Sequence, residues 1–206
     1  MQSAGLRAIH LRLQTTLILR PRRWGKTTMM SMVKYFLDVS QQQLARQLFA
    51  NSLLAKRDPR FYEETCGQYP VIFLSFGACT GITWPEMKND LTCRIGGAFR
   101  DWRQLMDSQE IFEDERKMFR DILWRDEKAS YQVALTKLTH FLHRIYKKRV
   151  IVLIDEYEKP LIVAFLNGFL NDAVAFLSSA LTGCLKDNPY GVVPFAIPHM
   201  LKPSSY

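Results

Sequence analysis

Two short groups of residues have the types and the spacing needed for phosphate chemistry. The first is Gly25-Lys26-Thr27, which follows the β-rich run Thr15–Leu19 and opens a helical pattern. In that context, backbone amides of the turn and of the helix N-terminus converge on a phosphate group, and the absence of a Cβ at Gly25 permits the close approach. Lys26 would reach the β- and γ-phosphates, and Thr27 would offer its hydroxyl to Mg²⁺.

The second group is Asp155-Glu156, which ends the apolar run "RVIVLIDEY", residues 149–157. A continuous β-branched run of this kind predicts a buried parallel strand, and ligands bind at the carboxyl edge of such strands. Asp155 is therefore expected to hold Mg²⁺. Glu156 is spaced to polarise an attacking water, which is the role of the general base in nucleoside triphosphate hydrolysis.

The loop before Gly25 departs from the usual phosphate-loop pattern. Arg20 stands where that pattern has its first glycine, and Pro21 contributes no N–H group. Arg22 and Arg23 bring cationic side chains close to the expected phosphates, which favours anion binding. The residues predicted to bind the nucleotide are Arg22, Arg23, Trp24, Gly25, Lys26, Thr27 and Thr28.

The remaining chain supplies the elements that must position these groups. Apolar runs predict strands at residues 15–19, 70–76, 149–157 and 191–197. Helical periodicity begins at Lys26, where Met29 and Met32 are expected in the core, and it recurs at residues 84–103, 112–124, 131–146 and 161–185. Apolar strands separated by amphipathic helices predict an α/β fold with a doubly wound parallel sheet and helices on both faces.

Charge and cysteine usage narrow the class of protein. Of the net charge of +8, residues 1–60 hold 11 Lys and Arg against two Asp, whereas the rest of the chain holds 17 against 18 acidic residues. This basic amino-terminal third suits a polyphosphate or, alternatively, a nucleic acid. The four cysteines form no C-x-x-C pair, which favours reduced thiols in a cytoplasmic or nuclear protein.

One apolar stretch, Leu161–Thr182, resembles a membrane span in composition. Asn167, Asn171 and Asp172 lie at its middle, and Gly168 breaks the run. A central Asp costs about 2.5–3.5 kcal/mol on insertion scales, so a buried helix is expected and no membrane partner is predicted.

Four segments together resemble the predicted AAA-ATPase-like family: "RPRRWGKTTMMSMVKYF", "YPVIFLSF", "VIVLIDEYEKPL" and "ALTGCLKDN". An Arg at the first loop position is the normal form in that family. The resemblance runs from about residue 15 to residue 188. It implies a P-loop ATPase fold with an additional strand, and ATP and Mg²⁺ as ligands. Family members often carry a nuclease-like domain of the PD-(D/E)XK type further along the chain.

The sequence departs from the family pattern at three places. Glu158 stands where the family usually has Asp, and the usual Tyr-Val-Asp-Lys-Thr-like lead-in is absent. After the fourth strand, "GVVPFAIPHMLKPSSY" lacks the Thr-Gly segment that would contribute a polar sensor near the γ-phosphate. The expectation is therefore one P-loop domain over residues 1–206, truncated, with an incomplete carboxy-terminal part.

Four functions stay open at the level of sequence. The first is a Mg²⁺-dependent ATPase or an ATP-driven switch, and the second is a nucleotide-binding fragment that does not hydrolyse. The third is a small-molecule P-loop kinase, since the Asp-Glu strand end would bind Mg²⁺ equally well. The fourth is a nucleic-acid-binding protein in which Tyr35, Phe36, Phe61 and Tyr62 stack on bases, although their apolar neighbours favour packing. The sequence does not indicate an oligomeric state.

Overall fold

The computed structural model describes residues 16–17, 25–186 and 188–197. Within them the fold is mixed α/β, mostly helical around a small parallel sheet. The strands are β1 (Thr16–Leu17), β2 (Val71–Ser75), β3 (Val150–Asp155) and β4 (Gly191–Ile197). The helices are α1 (Lys26–Leu37), α2 (Gln42–Phe49), α3 (Leu53–Arg57), α4 (Pro59–Thr65), α5 (Trp84–Asp101), α6 (Glu113–Leu123), α7 (Tyr131–Tyr146), α8 (Glu158–Leu166) and α9 (Leu170–Leu185).

The sheet has the strand order β1-β4-β3-β2, and each neighbouring pair is parallel. β3 pairs with β2 from Val71 opposite Ile151 to Ser75 opposite Asp155. Because all the strands run in one direction, their carboxyl ends meet at one edge of the sheet. Asp155, the last residue of β3, therefore lies opposite Ser75, the last residue of β2.

Alternate residues of β2 and β3 enter two separate hydrophobic clusters. Leu74, Val152 and Ile154 belong to the larger cluster, which is built mainly with helices α5, α6, α7 and α9. Ile151 and Leu153 belong to the smaller cluster, which is built with helices α1, α2 and α4. The strands thus bury both faces, which explains why their sequences lack polar alternation.

Helix α1 packs on the smaller cluster through only part of its surface. Its buried residues are Lys26, Met30, Phe36 and Leu37. Met29 is partly buried against the cluster, as the helical spacing predicted. The core position expected for Met32 is wrong, because this side chain is 43% exposed. The buried stripe passes through Met30, which lies one position after Met29 and two before Met32.

The apolar stretch around Gly168 forms two helices, α8 and α9. Gly168 lies between them with a φ of 81°, a left-handed conformation that glycine adopts without a Cβ clash. The expectation of one buried helix holds only in part, since Phe165 and Leu166 are 69% and 74% exposed at the end of α8. None of the helices in the described part of the chain has the length and apolar character needed to cross a membrane.

All four cysteines are free thiols, as the spacing predicted. Cys79 and Cys184 are buried, and burial raises the pKa of each thiol to about 12. A thiol with so high a pKa stays protonated at neutral pH, so these two side chains act as small packing groups rather than as nucleophiles.

Candidate functional site

Gly25 directly precedes helix α1 and has a backbone conformation suited to an anion. Gly25 is the N-cap residue with a φ of 66°, and its carbonyl accepts the first helical hydrogen bond from Met29 N at 2.8 Å. The described residues supply no side-chain cap and no acidic group in the first turn. The helix N-terminus therefore keeps the partial positive charge of its aligned peptide dipoles.

The three residues after Gly25 divide between the interior and the surface. Lys26 is buried, with 6% of its surface exposed, whereas Thr27 and Thr28 are exposed. A lysine beside two exposed threonines at a helix end without a side-chain cap is a combination that attracts phosphate oxygens.

Asp155 meets the first turn of α1 across the sheet edge. The Thr27 hydroxyl donates a hydrogen bond from Oγ1 to Asp155 Oδ2 at 3.0 Å, joining residues 128 positions apart in the chain. Asp155 is the last residue of β3 and is only 1% exposed. The two groups that the sequence predicted as metal ligands therefore lie side by side.

The second oxygen of the Asp155 carboxylate tests whether a cation fits here. Oδ1 is buried and has no hydrogen-bond partner among the described residues. Leaving a buried acceptor without a partner is costly, and a bound ion or water would satisfy such an atom. Mg²⁺ prefers carboxylate and hydroxyl oxygens and takes its other ligands from water and phosphate. Thr27 and Asp155 fit that requirement.

Among the described residues, this site does not contain enough metal-binding side chains to surround a cation by themselves. No group of three or more His, Cys, Asp or Glu side chains that could hold a metal occurs among the residues the structure describes. A cation at Asp155 would thus depend on a bound phosphate or water for most of its ligands.

Glu156 directly follows Asp155 and has an unusual backbone. Its φ of 53° lies in the left-handed region, which a non-glycine residue adopts only when the surroundings impose it. Its carboxylate lies against Gly77, just beyond the end of β2, so closely that a Cβ on Gly77 would overlap with Glu156 Oε2. In the sequence, Gly77 could be recognised only as a turn residue after an apolar strand.

The family model described as predicted AAA-ATPase matches residues 6–192. The chain belongs to this predicted AAA-ATPase family. No curated protein and no solved structure gives a significant match. The matched region includes both Gly25–Thr28 and Asp155-Glu156, so the residues of the candidate site lie within the part of the chain that matches the family model.

Membership of the predicted AAA-ATPase family indicates an ATPase as the general class of protein and suggests ATP as a ligand. Three of the predicted ATP-binding residues, Arg22, Arg23 and Trp24, lie outside the described residues, as do Arg20 and Pro21.

Three of the four aromatic residues in the base-stacking hypothesis are buried and cannot stack on bases. Phe36, Phe61 and Tyr62 are buried, and Phe36 packs edge-on to Phe49 with ring centroids 5.3 Å apart. Tyr35 remains partly exposed. The apolar neighbours of these residues in the sequence therefore predicted their packing role correctly.

Proposed function

We propose that this chain is a Mg²⁺-dependent ATPase whose site is formed by Gly25–Thr28, Asp155 and Glu156. The observation that carries the proposal is the hydrogen bond from Thr27 Oγ1 to Asp155 Oδ2, beside the unpaired and buried Asp155 Oδ1. A hydroxyl and a carboxylate in contact at a helix N-terminus form a cation and phosphate site that neither residue could form alone.

The strand order supports a P-loop fold with an additional strand for this single domain. β1, which precedes the Gly25 loop, does not neighbour β3, which carries Asp155, because β4 lies between them. The two hydrophobic clusters on opposite faces of β2 and β3 support the finer assignment of a doubly wound sheet.

The amino-terminal half of the site binds the phosphates in this proposal. Gly25 permits close approach of the polyphosphate, and the amides of Lys26, Thr27 and Thr28 face it at the helix N-terminus. The Lys26 ammonium contacts the β- and γ-phosphates. Arg22, Arg23 and Trp24 extend the proposed ATP-binding loop.

The carboxylate half promotes the reaction. Thr27 and Asp155 hold the cation, and Mg²⁺ when bound would neutralise charge on the β- and γ-phosphate oxygens. Glu156 accepts a proton from the water that attacks the γ-phosphorus, while Lys26 stabilises the charge on the transferred group.

Nucleotide binding is tested by titrating the purified chain with a fluorescent ATP analogue and Mg²⁺. Lys26→Ala should weaken binding by about 10- to 100-fold, since a hydrogen bond to a charged group contributes about 1.5–3 kcal/mol. Lys34→Ala is the matched control, because Lys34 lies near the other end of the same helix, where its Nζ is 3.9 Å from Asp101 Oδ2. Equal affinity of both folded variants and the unchanged chain would contradict the phosphate site.

Hydrolysis is tested separately by phosphate release. Glu156→Gln should lower the rate by about 10²- to 10⁴-fold while analogue binding persists, because an amide cannot accept the proton. Undiminished turnover by this variant would refute the assigned base. ADP formed only after addition of an acceptor would favour the kinase alternative. Binding without any turnover by the unchanged chain would favour the non-hydrolysing alternative.

A further inference from the structure

Gly77 lies so close to Glu156 that any residue with a Cβ would overlap with the Glu156 side chain. An added Cβ there would overlap with Glu156 Oε2 and would lie 3.0 Å from Glu156 Cδ. These are atoms of the carboxylate itself, so the space left by the missing side chain is the space that the carboxylate fills.

The ends of β2 and β3 hold the two residues at this separation. Ser75 pairs with Asp155, and one residue further the Phe76 amide donates a hydrogen bond to the Asp155 carbonyl at 3.0 Å. Glu156 then turns through its left-handed conformation, and its carbonyl accepts a hydrogen bond from Lys159 N at 3.0 Å. The backbone on both sides of the contact is therefore hydrogen-bonded.

The loop that follows Gly77 is hydrogen-bonded to helix α5, which restricts movement of Gly77 away from Glu156. The amides of Thr80 and Gly81 donate to Asp90 Oδ2 at 2.9 and 3.0 Å. The next two amides, of Ile82 and Thr83, donate to Glu86 Oε2 at 3.0 and 3.1 Å. Four successive amides are therefore hydrogen-bonded to two carboxylates of one helix, and these bonds restrain the loop.

We infer that Gly77 is a positioning residue that determines where the carboxylate of Glu156 stands. This inference rests on the proposed function, in which Glu156 is the general base. The flexible Glu156 side chain is the part that yields when a Cβ is added, since the backbone on both sides is hydrogen-bonded. Gly77→Ala therefore displaces the base without touching the phosphate-binding residues of α1.

The first test separates binding from turnover. Gly77→Ala should lower kcat by about 10- to 100-fold, because misplacing a catalytic group by about 1 Å has an effect of that size. KM and the affinity for the fluorescent ATP analogue should stay unchanged. Gly97→Ala is the matched control, because a Cβ at Gly97 meets nothing within 4 Å. It also reproduces the loss of backbone freedom that any Gly→Ala change imposes on the unfolded chain.

The second test needs no nucleotide and reads the contact through stability. Gly77→Ala and Glu156→Ala are combined in a double-mutant cycle, and thermal unfolding is measured for each variant. Gly77→Ala should lower Tm more in the unchanged chain than in the Glu156→Ala background, where the overlapping carboxylate is gone.

The outcomes separate this inference from the proposed function. The same loss of Tm in both backgrounds, or an unchanged kcat for Gly77→Ala when Glu156→Gln is inactive, would overturn the positioning role. Full turnover by Glu156→Gln would overturn the proposed function instead. In that case the double-mutant cycle would still show a smaller effect of Gly77→Ala on Tm when Glu156 is replaced.

Discussion

The two halves of the candidate site are supported very differently. Strand β3, which carries Asp155, is buried at all six positions and is paired on both sides by β2 and β4. Helix α1, which carries Lys26 and Thr27, buries four of its 12 residues and packs on the smaller hydrophobic cluster. The carboxylate is thus fixed by the core, whereas the first turn of α1 keeps exposed residues, Thr27 and Thr28, that a ligand can reach.

This difference indicates how the site combines rigidity with access. A buried parallel strand holds a charged side chain at a defined position, and its neighbours oppose any shift along the sheet. A helix N-terminus needs exposure to offer its amides to an incoming anion. The hydrogen bond from Thr27 to Asp155 couples the two halves.

The largest expected effect tests the contrast in burial. Leu153→Ala in β3 should lower the free energy of unfolding by about 2–5 kcal/mol, because it leaves a cavity in a fully buried strand. Met32→Ala in α1 shortens a side chain of similar size on an exposed position and should change it by less than about 0.5 kcal/mol. Urea unfolding of both variants measures the difference, and similar losses would refute the contrast.

An intermediate effect is expected at the bond that joins the halves. Thr27→Val removes the hydroxyl and keeps the shape, so Asp155 Oδ2 loses its donor. The Mg²⁺-dependent affinity for the ATP analogue should fall by at least about tenfold, since a hydrogen bond to a charged group contributes about 1.5–3 kcal/mol.

Thr27→Ser is the control for this prediction, since it keeps the hydroxyl and should bind nearly as tightly as the unchanged chain. If both variants bind alike, with and without Mg²⁺, the Thr27 hydroxyl has no part in the site.

The smallest effect concerns a second buried carboxylate, Asp38, at the opposite end of α1. Burial raises its pKa above the usual 3.8, against the hydrogen bond from Ser40 N at 2.9 Å and the charge of Lys34, which lower it. The folded state therefore holds the proton more tightly than the unfolded chain does. Protonation of Asp38 therefore stabilises the folded state. This contribution to the free energy of unfolding is complete below pH 3.8 and is lost as pH rises through the raised pKa.

Asp38→Asn keeps an oxygen for Ser40 N and has no charge to bury. The stability of this variant relative to the unchanged chain should increase from pH 4 to pH 7, as measured by urea midpoints across that range. A difference between the two chains that does not vary with pH would contradict the cost assigned to the buried charge.

Much of the secondary structure followed from sequence pattern. The runs at residues 70–76 and 149–157 became β2 and β3, and the start of α1 at Lys26 was predicted to the residue. The segment at residues 42–65 gave no comparable signal, since its helices α2, α3 and α4 are short and mix polar with apolar positions. Exposure of Met32 and of the end of α8 also escaped prediction, because periodicity does not say which neighbour covers a given face.

The sequence by itself determined the chemical groups of this protein: the Gly-Lys-Thr turn, the Asp-Glu pair after a buried strand, and membership of the predicted AAA-ATPase family. Only the tertiary structure decided that Thr27 contacts Asp155 and that Gly77 faces Glu156. Contacts of this kind depend on the register and order of parallel strands. Residues far apart in the chain create that register, so no local pattern could specify it.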